Sequence, residues 1–377
     1  MIACQRHLFE IPDDEAYINC AYLSPQLHSV TEAGRRGVER KVHPWQTVPK
    51  DFFDGSERAR SLFAQIIGAA ADDIALIPAV SYGIATAAAN LQLKAGDSIL
   101  VLEEQFPSNY YGWAELAQTK GADLITVSRP EDGDWTPAIL SHMNESIAVV
   151  AAPVCHWTDG SLIDVKKIGE RCRQVGAALV IDGAQSIGAM PFSVDEVQPD
   201  FLVTVGYKWL LGPYSLGFMY VAPKYRDGTP LEYNWIDRAE SEDFTRLVNY
   251  RYEFQPGARK FDVGERSNFI LMPMVVAALE QILEWGVPEI TTTLSSMTKI
   301  ISKRAEAVGL SVAPPHHRSG HLMGLRSAEG LPPDLPDQLA KEKVYVSIRG
   351  NSVRVSPHLY NTEEDIDRFF KVLTAVL

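Results

Sequence analysis

Residues 177–213, AALVIDGAQSIGAMPFSVDEVQPDFLVTVGYKWLLGP, decide the fold of this chain. They contain two apolar runs, 177–181 and 201–205, each too short for a helix and bounded by polar residues. Such runs are typical of buried parallel strands. Asp182 ends the first run, and Lys208 follows the second. Because ligands bind at the carboxyl ends of strands in open α/β sheets, both residues are candidate site residues.

An acid and a lysine at two strand ends favour pyridoxal phosphate (PLP) chemistry. A lysine forms a Schiff base with the cofactor aldehyde, and a carboxylate keeps the ring nitrogen protonated. Desolvation at the strand end lowers a lysine pKa, which helps Lys208 to act as nucleophile and proton carrier. Taken singly, Lys208 fits a surface lysine and Asp182 an ordinary strand-end acid; together they favour the cofactor site.

The motif Asp-Gly-Ala-Gln at 182–185, followed by GYKWLLGP at 206–213, resembles the class V aminotransferase group of fold-type I PLP enzymes. That group includes cysteine desulfurases, kynureninases and isopenicillin N epimerase-like proteins. The resemblance runs from about Tyr17 to the C-terminus. It implies an α/β fold in which a large PLP-binding domain, residues 17–255, carries a mainly parallel seven-stranded sheet. A smaller α+β domain would comprise residues 1–16 and 256–377.

The alternation of helices and strands through residues 60–221 independently predicts a mainly parallel sheet with helices on both faces. In the family, the turn that corresponds to Ser81, Tyr82 and Gly83 holds the cofactor phosphate. A serine at a helix start suits this role because free N–H groups and the helix dipole favour an anion. The alternative is that Ser81 simply caps the helix. Phe106 fits the aromatic residue that stacks on the cofactor ring, and its alternative is a core phenylalanine.

Further cofactor contacts follow from the resemblance alone. Gln185 matches the residue that hydrogen-bonds the ring oxygen, and Tyr207 replaces a desulfurase histidine and would donate to the phosphate. Ser267 and Asn268 match the stretch that reaches a neighbouring subunit's phosphate, with Arg266 adding charge. The alternative for Ser267 is a helix cap. The resemblance therefore implies a homodimer with a shared active site.

Substrate contacts are expected from four residues. Arg354 aligns with the family arginine that clamps the substrate carboxylate, a role suited to its planar fork. His156 and Trp157 belong to the loop that faces the substrate in the family, and His156 is alternatively a residue behind the site. His28 follows a segment near the active-site mouth, and a plain structural loop is the alternative there.

One departure from the family pattern bears on the reaction. Desulfurases place a catalytic cysteine just before the arginine strand, where this chain has SIRGNSVRVS and no cysteine. None of the four cysteines lies beyond Cys172. Desulfurase chemistry through that thiol is therefore not expected.

The resemblance implies an amino-acid-transforming enzyme. The substrate amine would displace Lys208 in an external aldimine, and Lys208 would remove the α-proton to give a quinonoid that Asp182 supports. We expect a transaminase-like outcome; the alternatives are a cysteine or cystine C–S lyase and an epimerase. A non-catalytic cofactor-binding regulator is a third possibility, which the intact set of Asp182, Gln185, Lys208 and Arg354 disfavours.

Bulk properties narrow the partners and the compartment. The net charge of −13 argues against nucleic acid, because phosphate binding needs a basic face. No apolar run is long enough to span a membrane. The first residues, MIACQRHLFEIPDDE, lack the apolar region of a secretory signal, so we expect a cytoplasmic protein. The cysteine spacing fits no metal motif or disulfide framework, and no metal is expected.

Overall fold

A computed structural model describes all 377 residues of the chain. Its strands are β1 (Ala16–Tyr17), β2 (Ile74–Ile77), β3 (Ser98–Leu102), β4 (Asp123–Val127), β5 (Ile147–Pro153), β6 (Ala178–Asp182), β7 (Phe201–Val205), β8 (Gly217–Val221), β9 (Met323–Arg326), β10 (Val344–Tyr345), β11 (Ser347–Arg349) and β12 (Ser352–Val355). The apolar run 201–205 is therefore a strand with the predicted bounds, and the run 177–181 is displaced by one residue.

The helices are α1 (His28–Arg40), α2 (Asp51–Ile67), α3 (Val80–Asn90), α4 (Tyr111–Lys120), α5 (Trp135–His142), α6 (Val165–Val175), α7 (Val194–Val197), α8 (Leu271–Trp285), α9 (Val287–Ala307), α10 (Leu335–Lys341) and α11 (Glu363–Val376). Helices α2, α4 and α6 each end at a glycine in the left-handed conformation, which only glycine adopts without strain. None of the helices combines the length and apolar character needed to cross a bilayer.

A seven-stranded sheet forms the centre of the molecule, in the order β2-β8-β7-β6-β5-β3-β4. Strand β8 is antiparallel to β2 and β7, and the other neighbours are parallel. Alternate residues of β6 enter different cores: Leu179 and Ile181 pack on one face, Ala178 and Val180 on the other. Burial on both faces explains the uninterrupted apolar run, and the predicted α/β fold is confirmed.

Helix α3 packs unusually close to the large sheet. A Cβ atom on Gly83 would lie 2.5 Å from Val203 Cγ1 and 3.0 Å from Ile77 Cδ1. Glycine at this position therefore allows α3 to approach the strands that carry the site. The contribution of Gly83 is packing, and it does not line the cavity described below.

A smaller unit has its own core. Strands β11, β12 and β9 form an antiparallel sheet, and β1 pairs in parallel with β10. Helices α10 and α11 pack with these strands, and Ala16 and Ile18 join the same core. The predicted α+β character of the C-terminal region agrees with this arrangement.

The boundary predicted at residue 255 differs from the observed packing. Helix α8 lies on α1 and α2, and its residues Met272, Val275 and Leu279 enter the core of the large sheet. The segment before α8 is anchored there as well, because Asp262 accepts hydrogen bonds from Arg60 and from the Leu76 backbone. Residues 256–285 thus pack with the large unit.

Candidate active site

A cavity of about 290 Å³ lies at the carboxyl ends of β6 and β7. Asp182 is the last residue of β6, and Lys208 follows the end of β7. The two strands are parallel neighbours, with Asp182 opposite Val203. Both side chains line this cavity. The structure therefore brings together the acid and the lysine that the sequence singled out.

Lys208 is a buried amine next to aromatic rings. Its Nζ lies 5.4 Å from the ring centroid of Phe106 and 5.7 Å from that of Tyr207. Burial lowers the pKa of Lys208 from 10.5 to about 8, against the opposing effect of the Asp182 charge. An amine with this pKa exchanges protons readily near neutral pH, as a nucleophile and general base must.

Asp182 is a buried carboxyl group with unused hydrogen-bonding capacity. Burial raises its pKa, although the Ala184 N–H and the charge of Lys208 oppose the shift. Its Oδ1 accepts the Ala184 N–H at 3.0 Å, and no other protein donor reaches the carboxylate. It is therefore suited to a ligand that brings a cationic N–H group.

Gln185 is held in place by several parts of the chain. Its Nε2 donates to the Ala21 carbonyl at 3.0 Å, and its Oε1 accepts from Trp209 Nε1 at 2.9 Å. The backbone carbonyl of Gln185 accepts hydrogen bonds from His321 Nε2 at 2.6 Å and from Cys155 Sγ at 3.1 Å. One N–H of the side-chain amide remains for a ligand.

The N-terminus of α3 presents unpaired donors to the cavity. The backbone N–H groups of Val80 and Ser81 reach no protein acceptor, and both residues line the cavity. The N-cap is Ala79, which contributes no side-chain hydrogen bond. Ser81 is therefore not the cap, and its exposed hydroxyl remains available to an anion. Tyr82 does not line the cavity.

Aromatic side chains form much of the remaining wall. Phe106 and Trp157 line the cavity and pack edge to face, with ring centroids 5.4 Å apart. Trp157 Nε1 donates to the Glu104 carbonyl at 2.7 Å, which fixes the indole. Tyr207 lies 4.5 Å from Tyr214 between ring centroids, and both line the cavity. These rings exclude water from the region around Lys208.

Arg354, on β12, is buried directly behind the loop that carries Trp157. Its Nη1 donates to the Trp157 carbonyl at 2.9 Å and its Nη2 to Ser347 Oγ at 3.2 Å. Its Nε is buried without a partner, and no carboxylate of the protein forms an ion pair with it. Burial lowers the pKa of Arg354, and the charge of Arg349 lowers it further. A buried cation without an acid is unfavourable until an anion binds.

Arg354 adjoins the cavity through Trp157 without lining it, and two further predicted substrate contacts also lie outside the cavity. His156 is fully buried, stacks on Trp135 and lies 2.7 Å from Thr158 Oγ1 through Nδ1. Burial lowers the pKa of His156 to about 4, so it is a neutral, structural residue. His28 is exposed at the first position of α1. Neither residue lines the cavity, and unlike Arg354, with its unpaired Nε, His156 already has partners for both ring nitrogens.

The stretch predicted to reach a neighbouring subunit is anchored within its own chain. Ser267 Oγ donates to the Phe52 carbonyl at 2.6 Å. Asn268 Oδ1 accepts the Ile270 and Leu271 N–H groups, so Asn268, and not Ser267, supports the start of α8. Arg266 is buried in an ion pair with Asp262 at 3.0 Å. That pairing leaves Arg266 unable to serve a phosphate, contrary to the prediction.

Comparison with known proteins identifies the family. The Aminotransferase class-V family matches residues 33–369. The chain belongs to the class V aminotransferases. It is 27% identical over 320 residues to an uncharacterized aminotransferase of Bacillus subtilis, YcbU, with 84% of this chain and 82% of the relative covered. It is 24% identical over 335 residues to isopenicillin N epimerase of Streptomyces clavuligerus, with coverage of 85% and 84%.

Solved structures share the fold of this class V aminotransferase. A mutant of the cystine C–S lyase C-DES, with glycine covalently linked to its PLP cofactor, superposes with a TM-score of 0.89. The match covers 99% of this chain and 100% of that one, at 16% identity. Similarity at this level of identity shows the fold alone.

Class V aminotransferases use PLP, and the residues of the cavity fit this group. The unpaired N–H groups at the start of α3 and the Ser81 hydroxyl suit a phosphate. The free oxygen of Asp182 suits the protonated ring nitrogen, and Lys208 suits the aldehyde. Gln185 has a spare N–H for the ring oxygen, and Phe106 offers a flat apolar face.

Several residues of this class V site were not found from the sequence. Trp209 and His321 hold Gln185, Cys155 and Tyr214 line the cavity, and Arg349 lies beside Arg354. Tyr214 had a detectable signal, because it follows the GYKWLLGP motif directly. The contact of His321 with Gln185 joins residues far apart in the chain, and no local pattern indicates it.

Proposed function

We propose that this class V aminotransferase transfers the amino group of an amino acid through PLP. The observation that carries the proposal is the buried guanidinium of Arg354, whose Nε has no partner and whose Nη1 donates to Trp157 in the wall of the cavity that holds Lys208. An arginine of this kind binds a carboxylate through two parallel hydrogen bonds. An amino acid held by its α-carboxylate would present its amine and its Cα towards Lys208.

The roles of the residues follow from their surroundings. PLP, when bound, supplies an electron-withdrawing ring that acidifies the substrate α-proton. Lys208, with its pKa lowered to about 8, takes and returns that proton. Asp182 holds the proton of the ring nitrogen. Phe106 and Trp157 exclude water, which protects reactive species from hydrolysis.

A lyase or an epimerase is the second candidate, because the same residues serve both reactions. Two comparisons support these candidates: the chain is similar to isopenicillin N epimerase, and it shares its fold with a cystine C–S lyase. A desulfurase that works through a thiol is not proposed. Cys155 lines the cavity, but burial raises its pKa to about 12 and its Sγ–H donates to Gln185.

We further propose a homodimer, in which Ser267 and Asn268 lie near the partner's phosphate site. Exposed aromatic side chains on the segment before α8 support an interface there: Tyr233, Tyr250 and Tyr252. Large apolar surfaces of this kind mark association sites. Light scattering after size-exclusion chromatography tests the mass. The four free cysteines are compatible with a cytoplasmic location.

An amino-acid panel separates the candidate reactions. The PLP-loaded protein is assayed with and without a keto-acid acceptor, and keto acid, ammonia, sulfide and optical rotation are measured together. Keto acid that requires the acceptor is the expected result. Ammonia or sulfide without an acceptor would instead indicate elimination, and a change of optical rotation alone would indicate epimerisation. Lys208→Ala is the inactive control.

A further inference from the structure

One face of the small sheet carries two arginines with no acidic partner. In the antiparallel pair of β11 and β12, Ser347 lies opposite Arg354 and Arg349 lies opposite Ser352. Side chains of opposed residues project from the same face of a sheet. Arg349 and Arg354 are therefore diagonal neighbours on one face, a separation of about 7–8 Å between such positions.

Arg349 resembles Arg354 in lacking a counter-ion. Its Nη1 donates only to the adjacent Ile348 carbonyl at 2.8 Å, and its Nε is buried without a partner. Ser352 Oγ, opposite Arg349, is also buried without a partner. This face therefore carries three unsatisfied polar groups and two positive charges, a combination that favours binding of an anion.

A third arginine on the same face shows the contrast. Arg326, on β9, lies opposite Ser352 and donates to Asp159 Oδ2 at 2.7 Å. Asp159 also accepts from Arg129 at 2.8 Å. The single buried acid on this side is thus shared by two arginines already, and it is not available to Arg349.

Both unpaired arginines contact Trp157, a residue of the cavity wall. Arg354 donates to the Trp157 carbonyl, whereas the Arg349 Cζ lies 5.6 Å from the Trp157 ring centroid. Stacking on an aromatic face positions a guanidinium but does not neutralise its charge. The positive charges of both arginines also act on Lys208. Through Trp157, both arginines therefore adjoin the wall of the cavity that holds Lys208.

We propose that the substrate is an acidic amino acid, whose α-carboxylate binds Arg354 and whose second carboxylate binds Arg349. The proposal rests on the transaminase-like function proposed above. A substrate with one carboxylate would leave one of two adjacent guanidinium groups unpaired. A dicarboxylic amino acid would neutralise both and satisfy the free Nε donors, since arginine matches carboxylate geometry through two hydrogen bonds.

Binding of unreactive acids tests the proposal without catalysis. Succinate and butyrate have the same carbon number and differ by one carboxylate. Titrated into the PLP-loaded protein and followed by calorimetry and tryptophan fluorescence, succinate should bind about ten- to a hundredfold more tightly. Arg349→Gln should remove most of that preference, and Arg349→Lys should retain part of it. Lys303→Gln, which removes an exposed charge from α9, should retain the wild-type preference.

Kinetics with isosteric pairs provide a second readout. Glutamate is compared with glutamine, and aspartate with asparagine, as the ratio of kcat/KM values. The acid should be preferred, and Arg349→Gln should lower the ratio about ten- to a hundredfold. Equal binding of succinate and butyrate would overturn the proposal, as would a preference unaffected by Arg349→Gln. So would an Arg349→Gln variant whose only change is its oligomeric state, since Arg349 would then pair with a partner's acid.

The two proposals fail in different ways. If no amino acid reacts while succinate still binds through Arg349, the proposed function fails and the dicarboxylate site stands. If neutral amino acids react and succinate shows no advantage over butyrate, the function stands and the dicarboxylate site fails.

Discussion

The cavity that holds Lys208 and the small-sheet face behind its Trp157 wall differ in how their charges are arranged. At the ends of β6 and β7, Asp182 and Lys208 share one space with opposite charges. On the small sheet, Arg349 and Arg354 lie side by side, and no carboxylate pairs with either. The large-sheet side is electrically balanced before any ligand binds, whereas the small-sheet side carries excess positive charge.

Under the proposed function, the first region would perform the chemistry and the second would select the ligand. Burial shifts the pKa values of Asp182 and Lys208, and these shifts determine which group holds a proton. Unpaired arginines contribute little until an anion arrives, and then they contribute affinity and orientation. Substitutions in the two regions should therefore affect different measured quantities.

Lys208→Ala should produce the largest effect. Removing the amine deletes both the covalent attachment point and the general base, so activity on every substrate should fall at least about a hundred- to ten-thousandfold. The visible absorbance of bound cofactor should change, and borohydride should no longer fix the cofactor to the chain, which mass spectrometry detects. Lys303→Ala is the control and should retain both. Full activity in Lys208→Ala would show that another group moves the proton.

Arg354→Gln tests the other region. Loss of the charge-assisted contacts should lower kcat/KM for amino acids about ten- to a hundredfold. The melting temperature of the ligand-free protein should fall only by what the hydrogen bonds of Arg354 to the Trp157 carbonyl and Ser347 Oγ contribute, because no acid inside the protein loses its partner. Kinetics and calorimetry on the same preparation measure both quantities. A loss of about 3–5 kcal/mol, the cost of breaking a buried ion pair, would contradict the assignment, since it would mean that Arg354 already has a stabilising counter-ion.

The two regions also differ in how far the sequence alone predicts them. Asp182 and Lys208 come after continuous apolar runs, which are typical of buried parallel strands. Because the strand ends can be predicted from these runs, the position of both residues at the cavity can be predicted as well. Arg354 was found from its resemblance to the family motif. Arg349 lies in the same short stretch, yet its lack of a partner depends on Asp159, nearly two hundred positions away, being shared by other arginines.

Tertiary packing also explains the predictions that differ from the structure. His156 lies shortly after the end of β5, but stacking on Trp135 buries it away from the cavity. The boundary predicted at residue 255 differs from the packing because Asp262, beyond that boundary, pairs with Arg60 of the large unit. No local pattern in the sequence indicates a pair between such distant elements. Arg266 was predicted to add charge near a partner's phosphate and is instead part of the same buried ion cluster.

Burial of Lys208 should make the stability of the cofactor-free protein depend on pH. Its pKa is 10.5 when unperturbed and about 8 in the folded chain. Between these values the unfolded chain holds up to one more proton at this position, so the stability of the wild type gains up to about 1.4 kcal/mol per pH unit as the pH rises. Below about pH 8 the amine is protonated in both the folded and the unfolded chain, and the full cost of burying the charge lowers the stability of the folded protein.

Lys208→Met removes this titration. Its free energy of unfolding, measured in urea, should exceed that of the wild type at neutral pH, and the difference should shrink as the pH rises from about 8 to 10.5. The exposed Lys303→Met variant should follow the wild type. If the free energies of unfolding of Lys208→Met and the wild type changed in parallel with pH, the pKa of Lys208 would not be lowered, and its proposed role as the base would lose support.

Asn268→Ala should have the smallest effect, and it separates two roles in the stretch before α8. Asn268 Oδ1 accepts the Ile270 and Leu271 N–H groups, and loss of such a contact costs about 1 kcal/mol of stability. If this local role is its only one, cofactor affinity should remain that of the wild type while the melting temperature falls slightly. If Asn268 also reaches the phosphate site of a partner subunit, the variant should bind PLP more weakly than the wild type, and this difference should disappear when both are diluted to monomers.

Thr362→Ala, which removes the side-chain cap of α11 far from the cavity, is the matched control. The two variants should lose similar stability, and only a shared site at Asn268 would make their PLP affinities differ.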